Sequence, residues 1–279
     1  MIMIDKSSLQ HISADREMLE HEETFAYMLP CGQLRNLISN FTVTFPDRQA
    51  ISDAYTVMPH GSVTLVLFDY NTELHSFIFG PSTKPVRVGD IANKCDVIFI
   101  IEFQPAGFSP FKKMNQNELT DKIVPFKEVD CSLDKAMRDI FRTSATVDGL
   151  LRGMEERLIQ SVRFPYPEEL ARAIGDIIRM EGILTSVEIS DKVNYSPRHL
   201  NRLFNLYLGM SMKSFSRLVR INRAIRLLNE EGYALAYISD KLGYYDVSHL
   251  VKDFRLVCGI TPQEYRSNMS DFYSEIAKY

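Results

Sequence analysis

Two short stretches of the chain place basic and polar side chains at steps of three and four residues. The first stretch carries Arg198, Asn201, Arg202 and Asn205. The second carries Val247, Ser248, Val251, Lys252 and Arg255. Such spacing puts the members of each set on one face of a helix. Guanidinium and amide groups can hydrogen-bond to guanine and adenine edges, and basic groups bind phosphate. The chemistry that these side chains offer is therefore recognition of bases and phosphate.

The two stretches lie in two copies of one unit. The segment 189–192, Ile-Ser-Asp-Lys, aligns with 238–241, which has the same four residues. One extra residue follows in the second copy, after which His199-Leu200, Phe204 and Gly209 align with His249-Leu250, Phe254 and Gly259. A unit that occurs only twice is too short an array for a solenoid, so we interpret it as a duplicated small helical module.

Each copy has the sequence pattern of a helix-turn-helix. In the first copy, Ser196 is a good N-cap and Pro197 stands at the first helical position, where its missing N–H costs nothing. The following helix places Leu200 and Phe204 toward a core. In the second copy, Gly243 suits the left-handed conformation that ends a helix. A helix, a tight turn and a second helix with an exposed polar face form the geometry that enters a major groove.

The segment 187–266 resembles the DNA-binding domain of the AraC/XylS transcriptional regulators. The resemblance rests on the second unit, through Ile238, Gly243-Tyr244, Ser248-His249, Phe254-Arg255, Gly259, Thr261-Pro262 and Tyr265-Arg266. It covers the C-terminal part of the chain, and the first unit matches more loosely. The resemblance implies seven helices, DNA contact by the two sets of residues above, and a long helix from about Ser211 to Asn229 that joins the modules. Val247 departs from the polar residue common at its position.

The predicted connector carries a regular row of arginines. Arg217, Arg220, Arg223 and Arg226 recur every third residue, and the apolar positions between them are Leu218, Ile221, Ile225 and Leu228. At 1.5 Å per residue the connector would be about 28 Å long, close to the roughly 34 Å between successive major-groove faces. One chain could therefore place two recognition helices in adjacent grooves.

The charge is distributed unevenly along the chain. The whole sequence has a net charge of −4. Residues 1–165 hold 17 Lys and Arg against 22 Asp and Glu, a net charge of −5, whereas residues 185–266 hold 12 against 8, a net charge of +4. The net charge is positive, and so favours nucleic-acid binding, only in the C-terminal part.

Three further features of the sequence concern the cellular location of the protein. We expect no transmembrane helix, because no run of 18 apolar residues occurs, and no signal peptide, because the N-terminus lacks a basic start followed by an apolar core. Cys31, Cys95, Cys131 and Cys258 are isolated in sequence, which is typical of a reducing cytoplasm. The expected location is therefore cytoplasmic, without a membrane partner.

The first 160 residues show strand-type periodicity followed by helical periodicity. The predicted strands are 41–45, 54–58, 62–68, 74–79 and 97–103, separated by turn residues. Two helices are predicted afterwards, at 133–141 with Ser132 as cap and at 147–160 with Thr146 as cap. The prolines at 165 and 167 indicate a linker at 161–167, which divides the chain into domains at 1–160 and 168–279.

The segments VMPHGSVTLVLF and IIEFQPAGFSPF look like the N-terminal domain of an AraC-type subgroup with a divergent cupin-like barrel. The predicted fold class is thus α+β, with an N-terminal antiparallel β-barrel and helices, then an all-α domain with two helix-turn-helix units. The resemblance implies that the barrel senses a small-molecule effector and that the following helices pair two chains.

Aromatic residues on the predicted strands favour an apolar or aromatic effector, although they could equally fill a solid core. The candidate effector-binding residues are Tyr55, Thr56, His60, Thr64, Phe79 and Glu102. The candidate homodimer contacts are Leu150, Leu151, Met154 and Leu158, for which packing inside the domain is the alternative.

We expect no metal, cofactor or catalytic residue. His60 and His75 lack the clustered histidines and carboxylate of a cupin metal site, and no Ser/His/Asp or phosphate-loop motif occurs. Two alternatives stay open beside an effector-controlled regulator. One is a ligand-independent adaptor whose N-terminal domain only dimerises or contacts RNA polymerase. The other is an enzyme with an autoregulatory DNA-binding tail.

Overall fold

The computed structural model describes residues 3–46, 55–229, 233–267 and 272–273. Nine strands precede the C-terminal helices in these ranges. They are β1 (Met18–His21), β2 (Phe25–Met28), β3 (Ile38–Thr44), β4 (Thr56–Val57), β5 (Thr64–Tyr70), β6 (Glu73–Phe79), β7 (Val86–Arg87), β8 (Ile98–Phe103) and β9 (Ile123–Pro125). The helices of this part are α1 (Gly89–Ala92), α2 (Phe126–Thr143) and α3 (Val147–Ser161), with 3₁₀ turns at Lys6–His11 and Gln116–Glu118.

Seven strands form one antiparallel sheet in the order β1-β2-β3-β8-β5-β6-β9. The α+β class is confirmed, but the sheet formed by the described strands is open, whereas a closed barrel was predicted. The reason is that β1 and β9 end the order without pairing with each other, while β4 and β7 leave it. These two strands form a second sheet with β10 (Phe272–Tyr273), which lies parallel to β4. Ala54, the predicted start of β4, lies outside the described residues.

One face of the large sheet packs against α2 and α3. Alternate residues such as Ile78 and Phe99 are fully buried there, and the Phe99 ring lies 6.2 Å from that of Phe141 on α2. Ser76 on β6 donates a hydrogen bond to the Asp134 carboxylate on α2. This layer of helices on a sheet is the N-terminal hydrophobic core.

The predicted dimer stripe is part of that core. Leu150, Leu151, Met154 and Leu158 each have 0% relative exposure in the single chain. The prediction that these side chains pair two chains is therefore wrong, because α3 already buries its apolar face against its own domain.

The two helix caps have different outcomes. Thr146 caps α3 as predicted, since its hydroxyl accepts a hydrogen bond from the Gly149 N–H at 3.1 Å. The prediction of Ser132 as a cap is wrong. The helix begins already at Phe126 and is kinked at Asp130, whose backbone is non-helical and whose carboxylate accepts from the Leu133 N–H at 3.0 Å.

Seven helices follow in the described C-terminal residues, as the resemblance implied. They are α4 (Glu168–Arg179), α5 (Ser186–Lys192), α6 (Pro197–Leu208), α7 (Met212–Asn229), α8 (Leu235–Lys241), α9 (Val247–Cys258) and α10 (Pro262–Ser267). The long connector is α7, which begins one residue after the expected start. Its two sides pack against α4, α6, α9 and α10 in a second hydrophobic core.

The N-terminal part contacts this second core directly. Met58 and Ala106 are buried among its residues. The Thr120 hydroxyl donates to the Gly209 carbonyl at 2.7 Å, and the Asn222 side-chain amide on α7 donates to the Pro59 carbonyl at 3.4 Å. These contacts involve the end of α6 and the middle of α7, so the first module and the connector are attached to the sheet domain.

Candidate nucleic-acid interface

The two predicted modules have the same construction. Helices α5 and α8 have seven residues each, and helices α6 and α9 have twelve each. Both longer helices end on a left-handed glycine, Gly209 with φ 72° and Gly259 with φ 75°. Glycine is favoured here because it has no Cβ to strain this conformation. The duplication seen in the sequence is therefore a duplication of structure.

The turns of the two modules also correspond. Asn194 and Gly243 occupy the same left-handed position, with φ 57° and 66°. The Ser196 hydroxyl accepts from the His199 N–H at the start of α6, and the Asp246 carboxylate accepts from the His249 N–H at the start of α9. The N-cap predicted at Ser196 is confirmed. Asparagine tolerates the left-handed region better than most non-glycine residues, which explains why Asn194 can stand where the second module has Gly243.

The extra residue of the second copy lies in its turn. Tyr195 and Tyr244 are equivalent and pack edge-on against His199 and His249, with ring centroids 4.7 and 5.2 Å apart. Tyr245 then stands before the N-cap of α9 and is 94% exposed. The insertion is thus extruded into solvent and leaves the geometry of the helices unchanged.

The structure divides the predicted DNA-contact residues of α6 into two pairs. Arg198 and Arg202 are exposed. Asn201 and Asn205 are half-buried, and both are hydrogen-bonded inside the domain. The Asn201 carboxamide oxygen accepts from the Met212 N–H at 3.0 Å, and the Asn205 amide donates to the Asn201 carbonyl at 2.7 Å. Asn201 therefore ties α6 to the start of α7.

The residues of α9 form a more uniform surface. Ser248, Lys252 and Arg255 are exposed, and Val247 and Val251 are half-buried beside them. All five lie at steps of one, three or four residues along twelve residues of helix. The second recognition helix thus presents two cations and two apolar groups on adjoining strips of surface.

The connector arginines have internal partners that the sequence did not reveal. Arg217 forms an ion pair with Asp253 on α9 at 3.1 Å, and Arg223 forms one with Glu181 at 2.8 Å. Arg220 donates two hydrogen bonds to the Gly182 carbonyl. Their spacing of three residues indicated a shared face, but their partners lie about 36 to 42 positions away in sequence, beyond the reach of any local pattern.

Capping carboxylates stabilise helix starts in this domain. Hydrogen bonds from the backbone N–H and hydroxyl of Thr185 hold the pKa of Glu188 below its ordinary value of 4.5, and Thr261 acts likewise on Glu264. Thr185 and Glu188 form a reciprocal capping box at the start of α5. These glutamates are therefore ionised near neutral pH and strengthen the helix ends.

The other face of the large sheet carries a buried polar row. Asn40, Glu102 and Thr64 are direct cross-strand neighbours on β3, β8 and β5, and Phe79 on β6 pairs with Thr64. The three polar residues are buried, and Phe79 is half-buried. Phe68 and Phe77 lie on the same face, with ring centroids 6.0 Å apart.

The structure brings only half of the predicted effector residues together. Thr64, Phe79 and Glu102 share the row, whereas Tyr55 and Thr56 lie at β4 in the second sheet. His60 lies in the loop after β4, where its N–H donates to the Ser82 hydroxyl at 3.1 Å. Asn40, next to Glu102, was missed because consecutive residues of β3 are buried on both faces, which hides the alternation that marks a strand face.

The thiols and histidines are dispersed. Burial raises the pKa of the Cys95 thiol to about 12, with Asp96 and Asp69 acting in the same direction. His75 stacks on Phe68, and the His60 ring lies beside the Ser62 hydroxyl. Within the described ranges no three His, Cys, Asp or Glu side chains gather as metal ligands, and no helix is long and apolar enough to cross a bilayer.

Two family models match the chain. Residues 189–268 match a family described as a helix-turn-helix domain, and residues 26–125 match a domain of unknown function, DUF6597. The geometry and this match define the C-terminal part as a double helix-turn-helix domain. It is a domain of the AraC type, and the predicted resemblance is confirmed.

Individual relatives match part of this chain. The uncharacterized HTH-type transcriptional regulator YtdP of Bacillus subtilis is 31% identical over 125 residues, which are 45% of this chain and 14% of that protein. The regulatory protein PocR of Salmonella typhimurium is 28% identical over 98 residues, 35% of this chain and 30% of that protein. The chain thus spans less than a third of either relative. A crystal structure of apo ToxT from Vibrio cholerae superposes with a TM-score of 0.44 at 11% identity, over 81% of this chain and 97% of that one.

Proposed function

We propose that this chain is a sequence-specific DNA-binding transcription regulator that reads two successive major grooves through α6 and α9. The observation that carries the proposal is the structural duplication: two equivalent modules each end in a twelve-residue helix with exposed basic side chains. By name, YtdP is an HTH-type transcriptional regulator and PocR is a regulatory protein, which supports the same role. The proposal assigns the chain no catalytic activity.

The individual contacts follow from exposure and chemistry. Arg198 and Arg202 can bond guanine edges in bidentate fashion, and Val247 and Val251 can contact thymine methyl groups. Ser248, Lys252 and Arg255 supply hydrogen bonds to bases and to phosphate. The oxygen of Asn201 is committed to Met212, so this residue and Asn205 contribute by holding α6 in position, with only the Asn201 NH₂ offered to a base.

The experiment is a selection from randomised duplex DNA with the full chain. We expect a bipartite motif whose halves are separated by about one helical turn, roughly 10 to 10.5 base pairs between centres. Arg202→Ala should lose about 1–3 kcal/mol of discrimination at one base pair. Arg179→Ala is the control, because this exposed arginine lies on α4 and not on a recognition helix. Failure to enrich any motif would refute sequence-specific binding, and equal loss on selected and scrambled DNA would show that Arg202 contacts only phosphate.

We further propose that the polar row of the sheet binds a small, largely apolar or aromatic effector. Phe68, Phe77 and Phe79 are half-buried around Thr64 and Glu102, and this mixture of aromatic surface with few polar groups is typical of ligand sites. Tyr55 and Thr56 at β4, and His60 in the loop that follows it, lie outside this row and would contribute to the site from that side.

A short segment connects this face to the helical domain. Within nine residues the chain passes from Thr56 on β4, through Met58 in the C-terminal core, to Thr64 on the polar row. Pro59 accepts the hydrogen bond from Asn222, and a Cβ on Gly61 would lie 2.7 Å from the Phe215 ring. A ligand that shifts Thr64 would therefore displace groups packed on α7, which supports effector control of DNA binding.

Thermal-shift screening of the full chain against metabolites tests this proposal. A ligand that raises the melting temperature should do so less in Thr64→Val and Glu102→Gln, and equally well in Glu73→Gln, which changes an exposed residue at the far end of β6. If no compound stabilises the chain, the adaptor alternative is favoured. Homodimer formation, contact with RNA polymerase and a cytoplasmic location remain predictions, and sedimentation equilibrium of the full chain tests the first.

A further inference from the structure

We propose that Arg220 fixes the relative position of the two recognition helices and thereby selects which half-site separation the chain accepts. Arg220 acts as a positioning residue, because it lies on α7 and contacts both the α4–α5 turn, which leads into module one (α5 and α6), and module two (α8 and α9). The inference rests on the proposed DNA-binding function and concerns how that function is made selective.

The first contact of Arg220 is with the turn that leads into module one. Its Nε and one terminal nitrogen donate to the Gly182 carbonyl at 3.2 and 2.6 Å. Gly182 belongs to the turn between α4 and α5 and has φ +73°. A Cβ at this position would lie 2.2 Å from the Ser216 carbonyl oxygen. The turn therefore lies directly on the backbone of α7, and Arg220 holds it there.

The second contact is with module two. The guanidinium carbon of Arg220 lies 5.1 Å from the centroid of the Tyr244 ring. Tyr244 is only 6% exposed, and its ring packs edge-on against His249 on α9. Gly182, Arg220, Tyr244 and His249 thus form one continuous series of contacts from the α4–α5 turn to the recognition helix of module two.

The neighbouring arginines strengthen this arrangement on either side. Arg223 pairs with Glu181 in the α4–α5 turn, and Arg217 pairs with Asp253 on α9. Arg220 differs from both because it contacts this turn and module two at once. A planar guanidinium can donate in its plane to the carbonyl while its face lies against an aromatic ring, and the ammonium group of a lysine cannot do both.

A spacing series tests the inference. The two half-motifs from the selection are placed in duplexes at the selected separation and at separations one to five base pairs shorter or longer, and affinity is measured by fluorescence anisotropy. The wild-type chain should prefer one separation strongly. Arg220→Ala should reduce that preference at least tenfold while changing binding to a single half-site less than twofold.

Matched variants separate this role from general effects. Arg220→Lys should behave nearly as Arg220→Ala does, Tyr244→Leu should weaken the preference, and Tyr244→Phe should retain it because the ring remains. Lys213→Ala removes an exposed charge from the same helix and should leave the preference unchanged. Uniform loss at every separation, with the preference intact, would overturn the inference and assign Arg220 to phosphate binding or to folding.

A measurement without DNA gives an independent readout. Spin labels on Arg202→Cys and Arg255→Cys, in a chain where Cys31 and Cys131 are serine, report the distance between α6 and α9. Arg220→Ala should broaden that distance distribution, and an unchanged distribution would overturn the inference. If the unlabelled wild-type chain binds no duplex, a broadened distribution would uphold the positioning role and the absence of binding would refute the proposed DNA-binding function.

Discussion

The two glycines that end α6 and α9 provide a matched test of the contact between the sheet domain and module one. Gly209 and Gly259 have the same role and nearly the same φ, 72° and 75°. Their surroundings differ. A Cβ on Gly259 would meet nothing within 4 Å, whereas a Cβ on Gly209 would lie 2.4 Å from the Thr120 hydroxyl and 2.8 Å from the Gln116 carbonyl oxygen.

The expected magnitudes follow from this difference. Either alanine substitution places a Cβ in the left-handed region, at about 1–2 kcal/mol. Gly209→Ala must displace both the 3₁₀ turn at 116–118 and the hydrogen bond from Thr120, which adds about 1–3 kcal/mol for overpacking and about 0.5–1.5 kcal/mol for the bond. We therefore expect Gly209→Ala to cost about 1.5–4.5 kcal/mol more than Gly259→Ala.

Urea denaturation gives the two free energies of unfolding, and amide hydrogen exchange shows where the loss falls. Increased exchange at 116–120 in Gly209→Ala alone would locate it at the contact between domains. Thr120→Ala should recover part of the loss in the double variant, because it removes the atom nearest to the new Cβ. A difference between the two single variants below about 0.5 kcal/mol would refute the reasoning, because it would be smaller than the contribution expected from the lost hydrogen bond alone.

Three further predictions concern the N-terminal core and the helix caps. Glu155→Ala should lower the free energy of unfolding, measured by urea denaturation, by about 3–5 kcal/mol. The reason is that the largely buried Arg16 guanidinium, which donates to the Glu155 carboxylate at 2.7 and 3.1 Å, loses this partner. A loss below about 1 kcal/mol would contradict this. Leu151→Glu should abolish cooperative unfolding of the N-terminal domain in circular dichroism, whereas Arg152→Glu at the exposed neighbour should not, and a folded Leu151→Glu chain would contradict the buried position. Because the pKa of Glu188 is lowered in the folded chain, its cap stabilises α5 fully at pH values above the ordinary pKa of 4.5. This stabilisation is lost as the pH falls through the lower pKa of the folded state. Carbon-detected NMR titration of Glu188 should show a midpoint below 4.5, and a midpoint at or above 4.5 would contradict the capping box.

The sequence alone determined the features that depend on local chemistry. The N-cap at Ser196 and the left-handed Gly243 follow from residue type and spacing within a few positions, and each is confirmed. The long connector helix was implied by the family resemblance, and it too is confirmed. The duplication was equally visible, because both copies preserve the residues that form the turn and the inward face of the second helix. Local chemistry also has limits. Ser132 was predicted to cap a helix at 133–141, but the cap of that segment is Asp130, which lies at a kink inside a longer helix.

The strands show where prediction from sequence stopped. The longer strands of the sheet were predicted near their true positions, but β1, β2, β7, β9 and β10 were missed. Four of these five have fewer than four residues or lie at the end of a sheet, so periodicity gives little signal. Whether a sheet closes depends on pairing between distant strands, and here β4 pairs with β7 and with β10 from the far end of the chain.

Only the tertiary structure decided what each helix face contacts. The stripe of Leu150 and Leu151 was correctly placed on one face of α3, yet that face is buried in the core of its own domain, where α3 packs against α2, and not against a second chain. The row containing Arg220 was correctly placed on one side of α7, yet it joins the α4–α5 turn to module two. Helical periodicity specifies which side chains share a face, because that depends on 3.6 residues per turn. The partner of that face is set by packing between segments tens of residues apart, which no local pattern encodes.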